Sequence, residues 1–246
     1  MRFLPSSRRA RTWRIISLVT VVVVVASLFG LSAIANARTF QLFGGLTDRV
    51  DTSTKVVALT FDDGPDPAGT RQLLDALASA RVPATFYLIG RDMAEHPDLA
   101  RAIVLAGHEL GNHTYSHERM WFVSASFVAE EVEKTDKLIR RAGYLGEITF
   151  RPPNGKKLVA LPYYLDQHDR KTIMWDVEPD SEVDAHAQRI ADVTVENTRP
   201  GSIILLHGMY AGRDQSRLAV TPIIDRLKAD GYRFVTVSEL LTYQGQ

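Results

Sequence analysis

The chain has no cysteine, so neither a disulfide framework nor a thiolate metal site can form, and any bound metal must be held by His, Asp or Glu. It has no acidic residue in its first 37 positions, which instead carry five arginines, at 2, 8, 9, 11 and 14. The zero net charge therefore hides an asymmetry: the remainder has 24 basic against 29 acidic residues and is mildly acidic. No concentrated basic face follows, which removes nucleic acid as a partner. Internal repeats are also absent, as is low-complexity sequence apart from one valine run, and nothing implies a protein partner. What is present is ordinary globular composition, 45% hydrophobic and 24% charged over 246 residues, enough for one full core.

The valine run lies within an uncharged stretch of 21 residues, Ile15 to Ala35, long enough to span a bilayer. The arginines before it place residues 1–14 in the cytoplasm and all that follows outside. Ala35-Asn36-Ala37 is also an A-x-A cleavage pattern, so a secreted form cut at Ala37 competes with a single-pass anchor. The length of the apolar run favours the anchor. Residues 36–54, with Gly44-Gly45 and little periodicity, read as a linker to a domain covering 55–246.

From Lys55 strand-like and helix-like segments alternate. Strands are expected at Val56–Phe61, Ala84–Ile89, Glu109–Leu110, Ile148–Phe150, Thr172–Trp175, Ser202–Leu206 and Arg233–Val237. Helices are expected at Gly69–Ala80, Pro97–Ala106, Ser124–Arg141, Leu158–Gln167, Ala185–Thr198 and Thr221–Ala229. Six or seven such units imply parallel strands joined by crossovers in an α/β fold, a closed or nearly closed barrel, with function at the carboxyl ends of the strands.

The unusual residues cluster at those ends. Thr60-Phe61-Asp62-Asp63-Gly64-Pro65 delivers two carboxylates from one strand, and neighbouring side chains on extended chain point apart, so one acid faces a metal and the other what the metal activates. His113 and His117 stand four apart, as on one face of a helical turn, and with Asp63 make a two-imidazole, one-carboxylate ligand set. Arg151-Pro152-Pro153-Asn154-Gly155 holds an arginine rigidly enough to pair with a carboxylate of the site. His207 ends the run Ile203–Leu206 with Leu205 on its face, and an acid from the loop after Trp175 would orient it and keep it protonated.

Taken together and in this order, these motifs resemble those of the NodB-type polysaccharide deacetylases, carbohydrate esterase family 4, over roughly residues 55–241. The resemblance implies a distorted (β/α) barrel of the NodB-homology type behind the N-terminal transmembrane helix. It implies one divalent metal, zinc foremost with Co2+, Mn2+ or Ni2+ as alternatives, on Asp63, His113 and His117. By the same resemblance Asp62 is the general base, Arg151 orients it, and His207 is the general acid. Leu205 belongs to the pocket for the acetyl methyl, a backbone N–H beside Pro153 is an oxyanion donor, and Asn154 and Trp175 contact substrate. Asn154 stands where the family often has Tyr. The loop after Trp175 lacks the family's Asp-Trp pair, leaving Asp176, with Glu178 and Asp180 as alternatives, to support His207. The expected activity is removal of N-acetyl groups from a GlcNAc-containing glycan such as peptidoglycan or a chitin-like oligomer. O-deacetylation of a polysaccharide and an inactive carbohydrate-binding protein on the same scaffold are the alternatives.

Overall fold

Thirty residues from Ser7 to Asn36 form one continuous helix, α1, whose apolar side chains from Trp13 to Leu31 stand exposed. The stretch Arg11–Asn36 is long and apolar enough to cross a membrane. The structure is a computed structural model and describes residues 7–181 and 186–246. Beyond α1 come β1 (Leu46–Thr47), β2 (Val56–Asp62), α2 (Thr70–Ala80), β3 (Thr85–Leu88), α3 (Gly90–Glu95), α4 (Pro97–Leu105) and β4 (Glu109–Asn112). The second half holds α5 (Ala125–Arg141), a 3-10 turn at Pro153–Gly155, α6 (Ala160–Gln167), β5 (Thr172–Ile173) and α7 (Ala187–Asn197). It finishes with β6 (Ile203–Leu206), α8 (Asp214–Ala229), β7 (Arg233–Val235) and α9 (Val237–Leu241).

β2 is the hub. It pairs in parallel with β3, β6 and β7, and β3 pairs in parallel with β4. Phe150 bridges Asn112 of β4 to Thr172 of β5, and Val177 bridges Ile204 of β6, which closes the ring as a distorted (β/α) barrel. Strand alternation then sorts the side chains. Val57, Leu59 and Phe61 of β2 pack outward with Leu73, Leu77, Ile223 and Leu227 of the covering helices. Val56 and Ala58 point the other way, into an interior cluster with Tyr87, Trp175, Ile203 and Leu205. Thr60 and Asp62 continue that inner face upward, so the period of two lifts a carboxylate to the open end of the barrel. Both faces being covered, β2 is buried at all seven positions and reads as a nearly unbroken apolar run.

Three expectations differ by more than two residues; the other described boundaries differ by no more than two, as where Val237, expected to end the last strand, instead begins α9. The segment expected as a linker is partly built into the fold: Leu46 and Thr47 pair with Thr172 and Ile173, and Val50 is fully buried with its N–H donated to the Gly201 carbonyl. At Gly201, where φ is +80°, an added Cβ would lie 1.9 Å from the Val50 carbonyl oxygen, so the two backbones touch. Two paired residues are too few to register as periodicity. No strand forms at Ile148–Phe150, because Arg151 donates its N–H to Asn112 and the two prolines after it have none to give, so pairing stops at Phe150. α8 starts seven residues ahead of the expected Thr221, with Pro222 inside it rather than in its first turn. Pro222 has no N–H to give the Leu218 carbonyl four residues back, and Leu218 lies on the exposed side of the helix. The expected start of α7 at Ala185 lies outside the described residues. α3 and α9, of six and five residues, were too short to expect from pattern alone.

Candidate active site

Asp62 is buried at the last position of β2 and accepts from Arg151 Nη1 at 2.6 Å through Oδ1. Arg151 is itself fully buried, an expensive place for a cation. Other donors go to Thr60 Oγ1 (2.8 Å) and the carbonyls of Met174 (3.1 Å) and Ile173 (3.4 Å), and its guanidinium lies 4.1 Å over the Tyr87 ring. An arginine satisfied on three sides fixes the orientation of the carboxylate it touches.

Asp63 is off the strand, with φ at +76°. That left-handed residue, not strand alternation, turns its side chain, and both acids end up near the same imidazole: His113 Nε2 is 3.7 Å from Asp62 Oδ2 and 3.8 Å from Asp63 Oδ1. His117 Nε2 stands 3.3 Å from Asp63 Oδ1. The two histidines do not share a helical turn. They follow β4 in a loop where Thr114 and His117 take left-handed φ of +68° and +63°, and the rings meet at 5.0 Å. Three polar side chains hold that loop. Asn112 Oδ1 accepts from Thr114 N–H, Thr114 Oγ1 from His117 N–H, and Glu131 Oε2, from α5, from the N–H groups of Tyr115 (2.9 Å) and Ser116 (2.8 Å).

His113 Nδ1 is 2.8 Å from the Arg151 carbonyl, which can only accept, so Nδ1 carries the proton and Nε2 keeps its lone pair. Burial, reinforced by the neighbouring His117, pushes its pKa down to about 3, so the ring is neutral at ordinary pH. The candidate ligand atoms of Asp63, His113 and His117 lie within 4.8 Å of one another. An oriented neutral imidazole, a second imidazole and a carboxylate fit a divalent cation such as zinc and leave coordination positions open.

Across the site, His207 follows β6. Its Nδ1 is 3.1 Å from Asp180 Oδ1, and its backbone N–H donates to Asp180 Oδ2 at 2.7 Å. Ser216 Oγ donates to the same oxygen. Burial alone would lower the His207 pKa. The hydrogen bond and charge of Asp180, with Asp62 and Asp63 adding theirs, outweigh it and push the value up to about 9. Burial would likewise raise Asp180, but its bonds from His207 and Ser216 hold it below the usual carboxylate range. Asp176, expected first for this role, faces elsewhere: its oxygens accept from Ser202 Oγ and the Ile203 N–H. Glu178 accepts from Trp175 Nε1 and Arg38.

A cavity of about 610 Å3 joins Asp62, Asp63, His113, His117 and His207 with Asn154, Trp175 and Leu205. Pro153 is buried behind Asn154 and does not line it. Sequence reading missed Glu131 and Asn112 as loop supports and Asn36 and Arg38 as part of the cavity wall. Glu131 is one of many acids along a charged helix, and nothing in the local pattern marks it.

The profile of a family described as polysaccharide deacetylase matches residues 49–173. The chain is 35% identical to a peptidoglycan-N-acetylglucosamine deacetylase of Bacillus cereus over 207 residues, 82% of this chain and 95% of the relative. It superposes with a TM-score of 0.76 and 31% identity on the crystal structure of the Bc1960 peptidoglycan N-acetylglucosamine deacetylase, covering 81% of this chain and 94% of that one. It also superposes, at 0.73 and 28% identity, on wild-type BA3943 from Bacillus anthracis, described as a pseudoenzyme of carbohydrate esterase family 4. There the coverage is 82% of this chain and 71% of the other.

Proposed function

The chain belongs to the NodB-type polysaccharide deacetylases of carbohydrate esterase family 4, and from that premise we propose that it hydrolyses N-acetyl groups of GlcNAc residues in peptidoglycan or a chitin-like oligomer. It does so with the help of one divalent metal, outside the cytoplasmic membrane. The observation that carries the reading is the convergence on one cavity of the Arg151-held Asp62, the Asp63, His113 and His117 cluster, and the Asp180-held His207.

Zinc, or cobalt, manganese or nickel in its place, would be held by Asp63, His113 and His117, and when bound it polarises the acetyl carbonyl and acidifies water. Asp62, with one oxygen on Arg151, takes the proton of the attacking water through the other. As the water oxygen bonds to the carbonyl carbon, the N–H of Asn154, next to Pro153, stabilises the developing oxyanion. His207, protonated at neutral pH, then donates its proton to the amide nitrogen as the carbon–nitrogen bond breaks, releasing acetate and a free sugar amine. Leu205 offers the acetyl methyl an apolar contact.

α1 is read as a retained anchor. Supporting this, Ala35 is fully buried against the domain and the Ala37 carbonyl is held by the Lys157 ammonium, so the A-x-A site is occupied by the fold. Mature protein beginning at Arg38, seen by intact mass, would overturn that part.

The test of activity is acetate release by the full-length protein from peptidoglycan, chitotetraose and acetylxylan, with and without added zinc. Zinc-stimulated release from the first two is expected. Release from acetylxylan alone makes it an O-acetyl esterase, and no release from any makes it an inactive carbohydrate-binding protein on the same scaffold.

A further inference from the structure

The last turn of α1 does more than leave the membrane-length helix. Ala35 is fully buried and its carbonyl accepts the backbone N–H of Lys157, while the Lys157 ammonium binds the carbonyl of Ala37. Lys157 is only 1% exposed, and Ala37 is the only partner of its ammonium among the described residues. A buried ammonium needs an acceptor, and the carbonyl of Ala37 supplies it, which ties Lys157 to the chain end of α1. One residue further on, the guanidinium of Arg38 lies 4.9 Å over the Trp175 ring and pairs with Glu178 at 2.6 Å. Asn36 and Arg38 thereby line the cavity that contains Asp62, Asp63 and His207.

We propose that Asn36 and Arg38 form a glycan-binding subsite on the wall of this cavity, and that Lys157 is the positioning residue that holds them there. Arg38 spends one face on Trp175 and one Nη2 donor on Glu178, and it is half exposed, so further N–H groups remain for sugar hydroxyls. Asn36 turns its amide nitrogen back to Ser32, leaving its oxygen as an acceptor. Donors and an acceptor beside the reacting centre suit a sugar next to the one being deacetylated. The N-terminal helix thus completes the site, and loss of the segment up to Ala37 would remove half of the subsite and its fastening.

The inference rests on the deacetylase reading for its ligand class, so its test uses binding rather than turnover. Full-length protein in detergent micelles is titrated calorimetrically with chitotetraose. Arg38→Ala, at an exposed side chain, should weaken Kd about tenfold, the loss of roughly one charge-assisted hydrogen bond, with Arg38→Lys recovering part of it and Asn36→Ala giving a smaller loss. Lys157→Met should weaken binding similarly, and the Lys157→Met, Arg38→Ala double variant should be no worse than the poorer single. Wild-type Kd in both Arg38→Ala and Asn36→Ala overturns the subsite, even where acetate release is intact. Full additivity in the double variant overturns the positioning role of Lys157. Acetate release by the wild-type chain separately decides the deacetylase reading.

Discussion

His113 and His207 are the same residue type, both largely buried, on opposite sides of one cavity, and they are driven to opposite protonation states. His113 leans on a carbonyl, which can accept a proton's hydrogen bond but offers no charge to offset burial, and it stays neutral. His207 leans on a carboxylate that is itself fixed by Ser216, and it stays charged. Burial lowers the pKa of both rings, and only at His207 do the hydrogen bond and charge of its partner outweigh it. These states match the proposed roles, His113 as a metal ligand and His207 as a proton donor.

Removing each ring breaks the comparison most sharply. His113→Ala should abolish both zinc binding and turnover. His207→Ala should keep zinc affinity, measured by calorimetry, and lose about 10²–10⁴-fold in kcat. Equal zinc affinities in the two variants would show that the rings are not divided in this way. Asp62→Asn tests the group lying between them: turnover should fall by a similar 10²–10⁴-fold with zinc retained, whereas Asp63→Asn should lose both. Metal affinity collapsing in Asp62→Asn and surviving in Asp63→Asn would reverse the two roles.

Asp180→Asn sharpens the comparison without deleting either ring. The raised pKa of His207 keeps its protonated form, the active one under the proposed role of general acid, through neutrality, and that form is lost as pH climbs towards about 9. Without the carboxylate, the basic limb of kcat/KM should move about 1–3 pH units lower. Stability follows the same sign. Between about 6.5 and 9 the folded protein holds a proton on His207 that the unfolded chain does not, so this group's contribution is full below about 6.5 and declines as pH rises. For His113 the unfolded chain binds the extra proton between about 3 and 6.5, so its burial destabilises progressively as pH falls through that window. Melting of metal-free protein across pH 5–9 should show the alkaline decline flattened in Asp180→Asn and the acid decline unchanged. The smallest effect expected is that of Glu131→Gln, which weakens the anchoring of the Tyr115 and Ser116 amides and should lower zinc affinity about 10–100-fold while leaving the pH limbs in place.

How much of this was legible depends on whether the cause is local. β2 could be read because both faces of it are buried, and Asp62 follows from its last position on the inner face. That Asp63, His113 and His117 would meet was legible from residue types at strand ends, but the means was not. Left-handed residues at Asp63, Thr114 and His117 do the turning, and no L-residue pattern announces them. Asp180 could not be chosen over Asp176 because the choice is made in space, by Ser216 of α8 and the His207 amide, some 30 residues away in sequence. Likewise Arg38 and Lys157 meet only because α1 ends against the barrel.

The barrel wall is not equally strong around its circumference. β2 is laddered along both edges, whereas β5 is held only by the single bridge of Thr172 to Phe150 and a two-residue ladder with β1, and the chain after it meets β6 at the single bridge of Val177 to Ile204. This weak seam borders Arg151, whose guanidinium reaches back across it to Asp62 and to the carbonyls of Ile173 and Met174. Amide protons at Phe150 and Ile173 should therefore exchange with solvent faster than those of Leu59 and Phe61 in native-state hydrogen exchange. An opening confined to the seam would part Arg151 from Asp62 while the hub strands stay paired, so on warming activity should be lost at a lower temperature than the one at which the fold melts.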